Sequence, residues 1–108
     1  MIEKEMAEIL RQRLKLHIED DFGLQNCWNK EIEILSRDIQ QTINFIENKC
    51  SDDTFYWISE VFEDVAEVTQ SKEFIIAIKN RAEKITDTQK LQNLQKDIIF
   101  AENKLIDE

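Results

Sequence analysis

Proline is absent from this chain of 108 residues, and glycine occurs once. Both residues interrupt helices, because proline lacks the backbone donor and glycine loses the most conformational freedom on folding. Long apolar runs are missing as well, since the longest, FIIAI at residues 74–78, has five residues. Such a run is too short for a membrane-spanning helix or a secretory signal. The sequence therefore predicts a cytoplasmic protein with no membrane partner.

Basic residues are few, with 14 lysines and arginines against 23 aspartates and glutamates, and the net charge is −9. A negative protein repels nucleic-acid phosphates and anionic membranes, and it attracts basic proteins. Cysteine occurs twice, and we interpret Cys27 and Cys50 as reduced thiols because neither a secretory signal nor a CxxC spacing accompanies them. These counts favour a basic protein partner over direct binding of nucleic acid.

The abundant residues, which include glutamate, lysine, glutamine, leucine and isoleucine, favour helices. Apolar residues recur every three or four positions in five segments, and this period predicts five amphipathic helices. The chain has the length of one domain, so residues 1–108 are predicted to form a single all-α domain. Helices with one apolar stripe each bury those stripes against one another. The predicted fold is an irregular antiparallel bundle of four to five helices.

The first two helices are predicted from long apolar stripes. One covers residues 2–19 and ends at the sequence DDFG, where Gly23 is expected to adopt a left-handed conformation. The other covers residues 27–49 as one continuous strut, with Asn26 as its N-cap. Together they account for the amino-terminal half of the predicted bundle.

The remaining helices are predicted from cap residues and shorter stripes. The third helix begins after Ser51 or Asp52 and frays near the sequence VTQS, and whether it continues into the fourth stays open. Ser71 is the predicted cap of the fourth helix, which ends near Thr86 or Asp87. The sequence TDTQ, residues 86–89, resembles a capping box and starts the fifth helix.

Residues 51–74, SDDTFYWISEVFEDVAEVTQSKEF, contain six carboxylates before the first base, Lys72. On a helical wheel at about 100° per residue, the apolar arc contains Phe55, Ile58, Val61, Phe62, Val65, Ala66 and Val68. A second arc with its border, called the acidic face below, consists of Asp53, Tyr56, Trp57, Glu60, Glu63, Asp64 and Glu67. The wheel thus directs the acidic face away from the core.

The acidic face brings like charges together. Its carboxylates form pairs three or four residues apart, each of which costs about 0.2–0.5 kcal/mol. One interpretation is a solvated face that bases of a neighbouring helix partly neutralise. The other is a recognition face for a basic protein, since Tyr56 and Trp57 are residue types that carry binding energy in interfaces.

The sequence FYWISEVFEDVAEVTQSKEFI within this segment resembles small helical immunity proteins of bacterial polymorphic-toxin and contact-dependent growth inhibition systems. The resemblance covers residues 52–81, and its motif is a helix pattern rather than a catalytic signature. It implies a cytosolic protein that binds a cognate toxin domain, often a nuclease, and blocks it without chemistry of its own. In that interpretation the acidic face is the partner-binding site.

Other functions compete with this one. Glu60, Glu63 and Asp64 suit a metal or general acid–base cluster, but the only histidine, His17, stands in no motif that would complete a metal site. We therefore expect no enzyme activity, no metal and no cofactor. An acidic regulator or DNA mimic that binds a DNA-binding protein remains as the main alternative. A homodimer that buries the acidic face is another.

Overall fold

The structure, a computed structural model, describes residues 2–16 and 20–106. Within these ranges every regular element is helical, so the predicted all-α class is confirmed. The α-helices are α1 Ile2–Lys15, α2 Asp21–Arg37, α3 Ile39–Asn44, α4 Asp52–Ile58, α5 Phe62–Thr69, α6 Lys72–Ala82 and α7 Thr88–Asn103. A π-helical turn, Phe45–Lys49, follows α3, and a 3-10 turn, Ser59–Val61, joins α4 to α5. The predicted count of four to five helices is too low, and the antiparallel arrangement stays a prediction.

The start of α2 differs from the prediction. Asp20, rather than Asn26, is the N-cap, and its Oδ1 accepts a hydrogen bond from the backbone N of Gly23 at 2.8 Å. Gly23 lies inside the first turn of α2 and has no positive φ. A Cβ on Gly23 would lie 2.6 Å from Oδ2 of Asp20. Glycine therefore leaves room here for the cap carboxylate, which a larger side chain would displace, and it does not serve a left-handed turn.

The predicted strut over residues 27–49 is divided at Asp38. This residue is extended, with φ −144° and ψ 99°, and its side chain accepts hydrogen bonds from the backbone N atoms of Gln40 and Gln41. An aspartate can cap a new helix instead of continuing the old one, because its side chain competes for backbone donors. The hydroxyl of buried Thr42 donates to the carbonyl of Leu35 at 2.7 Å. That bond satisfies a backbone acceptor near the end of α2.

The predicted third helix is divided as well. The 3-10 turn Ser59–Val61 separates α4 from α5, and the hydroxyl of Ser59 donates to the carbonyl of Tyr56. A 3-10 turn has about three residues per turn instead of 3.6, so it rotates the side chains that follow relative to a continuous α-helix. The wheel for the acidic face is therefore wrong around Glu60.

Three predicted cap regions can be compared with the structure. The side chains of Ser51 and Ser71 cap α4 and α6, as predicted. Gln70, in a left-handed conformation with φ 51°, ends α5, so α5 and α6 are separate helices. The predicted capping box is displaced by one residue, because Asp87 and not Thr86 caps α7.

One hydrophobic cluster forms the core. Six of the seven α-helices, all but α3, contribute buried apolar side chains to it, and so do the π-helical turn and the 3-10 turn. The predicted core residues of α4 and α5 have no exposed surface: Phe55, Ile58, Phe62 and Val65. Val68 is 64% exposed and does not belong to the core, contrary to the wheel. Helices α5 and α6 both pack on α7, while α2 packs on α1 and α5. This packing places α7 beside the acidic face.

No helix within residues 2–16 and 20–106 is both long and apolar enough to cross a membrane. Cys27 is buried, Cys50 is half-buried, and both are free thiols, which agrees with their interpretation as reduced cysteines. The expectation for His17 lies outside the described residues.

Candidate functional site

The amino-terminal part of the acidic face lies against α7. Oδ1 of Asp53 is 3.1 Å from Nζ of Lys90, and the same Nζ lies 5.4 Å from the ring centre of Tyr56. The amide of Asn93 donates a hydrogen bond to the hydroxyl of Tyr56 at 3.0 Å. Tyr56 is half-buried, so its ring is held in place by α7 while part of it remains accessible.

The carboxy-terminal part of the acidic face is partly neutralised by one lysine. Nζ of Lys104 lies 3.2 Å from Glu67 and 3.6 Å from Glu63. Asp64 is exposed, and its pKa is raised by partial burial and by the charges of Glu63 and Glu67, against which Lys104 acts. Neutralisation from a neighbouring helix is what the solvated-face interpretation predicts. Glu63, Asp64 and Glu67 still carry more negative charge than Lys104 alone can compensate.

Glu60 does not belong to the solvent-facing part of the acidic face. Its Oε2 accepts hydrogen bonds from Arg13 of α1 at 3.2 Å and from the indole of Trp28 on α2 at 3.3 Å. Only 25% of the Glu60 side chain is exposed. The prediction that Glu60 points away from the core is therefore wrong, and the 3-10 turn is the physical reason. Arg13 also lies 5.2 Å from the ring centre of Trp57.

A second glutamate lies behind Glu60. Glu31 of α2 has no exposed surface, and burial, followed by repulsion from Glu60, raises its pKa to about 8, although Arg13 opposes the shift. Within the described residues, both carboxyl oxygens of Glu31, Oε1 of Glu60 and Nε of Arg13 are buried without a hydrogen-bond partner. Such unpaired buried groups are uncommon in proteins. We call Arg13, Glu31 and Glu60 the buried charge cluster.

A cleft of about 400 Å³ separates α4 and the 3-10 turn from α7. Three aromatic rings line it: Tyr56, Trp57 and Phe100. Two carboxylates, Glu60 and Asp97, line it as well, together with the amine-bearing side chain of Lys96. Phe100 is 55% exposed, so its ring is accessible to a binding partner. The cleft thus combines three aromatic side chains with two acidic residues.

The electrostatic environment of the cleft favours a cation. Burial and the charges of Glu60 and Glu63 raise the pKa of Asp97, and the neighbouring Ser59 hydroxyl opposes this rise. A cation placed near Asp97 and Glu60 would relieve this repulsion, and it would meet aromatic faces that attract positive charge. The arrangement is suited to binding the basic side chain of another molecule.

The structure brings together only part of the predicted acidic face. Tyr56, Trp57 and Glu60 meet in the cleft, whereas Asp53 pairs with Lys90, Glu63 and Glu67 pair with Lys104, and Asp64 lies outside it. The sequence analysis missed Arg13, Glu31, Asp97 and Phe100. A signal for Glu31 exists, because it lies four residues after buried Cys27 and three before buried Ile34 on one helix face. Asn93, Asp97 and Phe100 also recur at helical spacing.

No group of three or more histidine, cysteine, aspartate or glutamate side chains in the part of the chain that the structure describes is arranged to hold a metal ion. Comparisons of the chain with protein-family models, with curated proteins and with solved structures find no match. The function is therefore inferred from the cleft and from the charges around it.

Proposed function

We propose that the protein is an inhibitor of the immunity type, which binds a basic protein partner in the cytoplasm and blocks it without chemistry of its own. The proposed partner is a toxin domain that acts on nucleic acid. The observation that carries the proposal is the cleft, where Tyr56, Trp57 and Phe100 line the same space as Glu60 and Asp97. The resemblance of residues 52–81 to immunity proteins supports the same conclusion.

The chemistry of nucleases explains why an acidic protein can inhibit them. A nuclease binds the phosphate backbone with lysine and arginine side chains, so a surface rich in carboxylates can take the place of phosphates. The net charge of −9 attracts such a partner over a distance and accelerates the encounter. Speed matters for a protein that must capture a toxin before the toxin cuts its substrate.

Aromatic residues supply what charge alone cannot. Exposed ion pairs contribute little binding free energy, whereas tyrosine, tryptophan and arginine in desolvated pockets contribute much of it. Trp57 and Tyr56 are half-buried and therefore positioned before the partner arrives. Phe100 adds an exposed apolar surface on the opposite wall. The cleft is thus proposed as the centre of the interface, with Asp64 and Asp53 nearer its rim.

Replacing Phe100 with alanine should weaken partner binding at least tenfold and leave the fold intact, because Phe100 is exposed and lines the cleft. The test measures binding of the purified parent and variant to the protein encoded by the neighbouring gene. Ile99→Ala is the matched control, since Ile99 is equally exposed and lies on the other side of α7. Equal loss in both variants, or in neither, would speak against the cleft.

The identity of a captured partner separates this proposal from its alternatives. A toxin domain whose activity is lost on binding supports the immunity function. A transcription or restriction protein would indicate the DNA mimic instead, and a dimeric mass in solution that disappears with charge reversal at Asp64 would indicate self-association.

Salt dependence gives a further prediction. The association rate should fall as ionic strength rises, because salt screens the field of the carboxylates over about 8 Å at physiological concentration. The dissociation rate should change less, since the aromatic contacts are short-ranged. Stopped-flow measurement at low and high salt provides both rates. An association rate that is the same at both concentrations would contradict recognition by charge.

A further inference from the structure

The residues that line the cleft are suited to binding one cationic group. Tyr56, Trp57 and Phe100 present aromatic surfaces, and the acidic residues Glu60 and Asp97 line the same space. A planar guanidinium stacks on aromatic faces and donates hydrogen bonds to two carboxylates at its edge, which a compact ammonium group does not do equally well. Arg13 and Lys90 already lie over Trp57 and Tyr56, and neither is among the described residues that line the cleft.

Glu60 belongs both to the cleft and to the buried charge cluster behind it. On one side it lines the space that a cation can enter. On the other it accepts from Arg13 and raises the pKa of Glu31. Glu31 is fully buried, and both its carboxyl oxygens lack a partner within the described residues. A cation that neutralises Glu60 therefore removes one of the two causes that keep Glu31 protonated.

We propose that the cleft binds one arginine guanidinium of the partner and that its entry releases the proton of Glu31. The proposal rests on the proposed function for the source of that arginine. In the release step the O–H bond of Glu31 breaks, the electron pair stays on the carboxylate, and the proton passes to the solvent. Before the guanidinium enters, Arg13 is the one cation of the buried charge cluster, and it compensates Glu60 while Glu31 is protonated. After entry, Arg13 and the guanidinium compensate the two carboxylates, Glu31 and Glu60.

Titratable and charged groups from every side belong to this balance. Arg13 of α1 and Glu60 of the 3-10 turn act directly on Glu31. Cys27 of α2 is the neighbouring thiol, and its pKa is raised by burial and by Glu31. Across the cleft, Lys96 and Asp97 of α7 line the opposite wall, and the pKa of Asp97 is raised by burial, by Glu60 of the 3-10 turn and by Glu63 of α5. Since burial remains after entry, the proton of Glu31 is released in part, and the release is largest between the lowered midpoint and pH 8.

The binding test uses N-acetyl-arginine amide as the probe. Nuclear magnetic resonance should show the indole signal of Trp57 moving with this probe, at millimolar affinity, and not with the neutral citrulline analogue. The lysine analogue should bind more weakly. Phe100→Ala should weaken probe binding severalfold, whereas Lys96→Gln should strengthen it because it removes a like charge from the cleft wall. Ile99→Ala should leave it unchanged.

The proton test follows the side-chain carboxyl carbons of labelled glutamates. One signal should titrate near pH 8 and disappear in Glu31→Gln, and saturating probe should move its midpoint to lower pH. Glu33→Gln, an exposed change on the same helix, should leave that titration in place. The probe should still bind to the Glu31→Gln variant, because Glu31 does not line the cleft.

The two tests distinguish failure of the guanidinium site, failure of its coupling to Glu31 and failure of the proposed function. If the Trp57 indole signal does not move with the arginine probe, the cleft is not a guanidinium site. If the titration midpoint of Glu31 stays fixed while the probe binds, the coupling between binding and proton release is wrong. If the probe fails but partner binding still depends on Phe100, the proposed function stands and only this inference falls. If the probe binds and no basic protein partner does, the guanidinium site and its coupling to Glu31 stand, and the proposed function falls.

Discussion

Replacing Glu31 with glutamine should shift the stability of the variant relative to the parent by about 3 kcal/mol in the variant's favour between pH 5 and pH 8. Glu31 is fully buried and its pKa lies near 8, against 4.5 for an unperturbed glutamate. Between these values the folded protein keeps a proton that the unfolded chain has released. The folded state of the parent therefore loses stability as pH rises through this window, and the loss is complete above pH 8.

Glutamine resembles the protonated glutamate in shape but has no proton to lose. Any fixed cost of burying its amide is the same at both pH values and cancels when the two differences are compared. Urea unfolding of parent and variant at pH 5, 6.5 and 8 measures the effect. In Glu33→Gln, a substitution on the exposed side of α2, the difference from the parent should change by less than about 0.5 kcal/mol. A gap between parent and Glu31→Gln that is independent of pH would contradict a protonated Glu31.

Removing the charge of Arg13 should cost about 2–3 kcal/mol of folding free energy, a value reduced from that of a fully buried pair because water still reaches part of both side chains. The Arg13 side chain is 22% exposed, donates to Glu60 and lies over Trp57. In Arg13→Met the apolar stem remains, so the loss reports the missing charge rather than missing packing. Glu60 then keeps Trp28 as its donor but loses its salt bridge with Arg13.

Arg11→Met is a closely matched control, because Arg11 lies two residues earlier on α1 and pairs with Glu8 at the surface. Its side chain is 63% exposed, so its loss should cost no more than about 0.5 kcal/mol. Thermal and urea unfolding of both variants provide the comparison. Equal costs for the two arginines would mean that the buried charge cluster does not stabilise the fold.

Apolar periodicity predicted the core of α4 and α5 well. Phe55, Ile58, Phe62 and Val65 recur at three and four residues, and a short 3-10 turn does not move them out of the interior. The same turn does change where a single polar side chain points. Glu60 lies within the turn itself, and its wheel position assumed 3.6 residues per turn throughout, which explains why the prediction failed there.

Helix boundaries were predicted less well where polar side chains compete for backbone donors. Leu35 and Ile39 fit one continuous stripe, and that stripe gives no sign of the break between them. Asp38 forms its own cap because two backbone donors are within reach of its carboxylate. Nothing in the apolar period distinguishes an aspartate that caps from one that points to solvent.

The cleft itself could not be predicted from local sequence, because it depends on which helices pack together. Tyr56 and Trp57 were recognised as interface residues, but their opposite wall comes from α7, some forty residues later in the chain. The wheel treated the acidic face as one helix surface in isolation. Packing of α5 on α7 brings Asp97 and Phe100 to it and supplies Lys90 and Lys104 as partial counter-charges.

Hydrogen exchange of the protein with and without its bound partner tests most directly whether a basic partner binds in the cleft. Exchange should slow in residues 56–60 and 93–100, the two walls of the cleft, and Phe100→Ala should remove this protection at equal partner concentration. Protection confined to the opposite groove between α6 and α7, which Ile76 and Leu105 line, would contradict binding in the cleft.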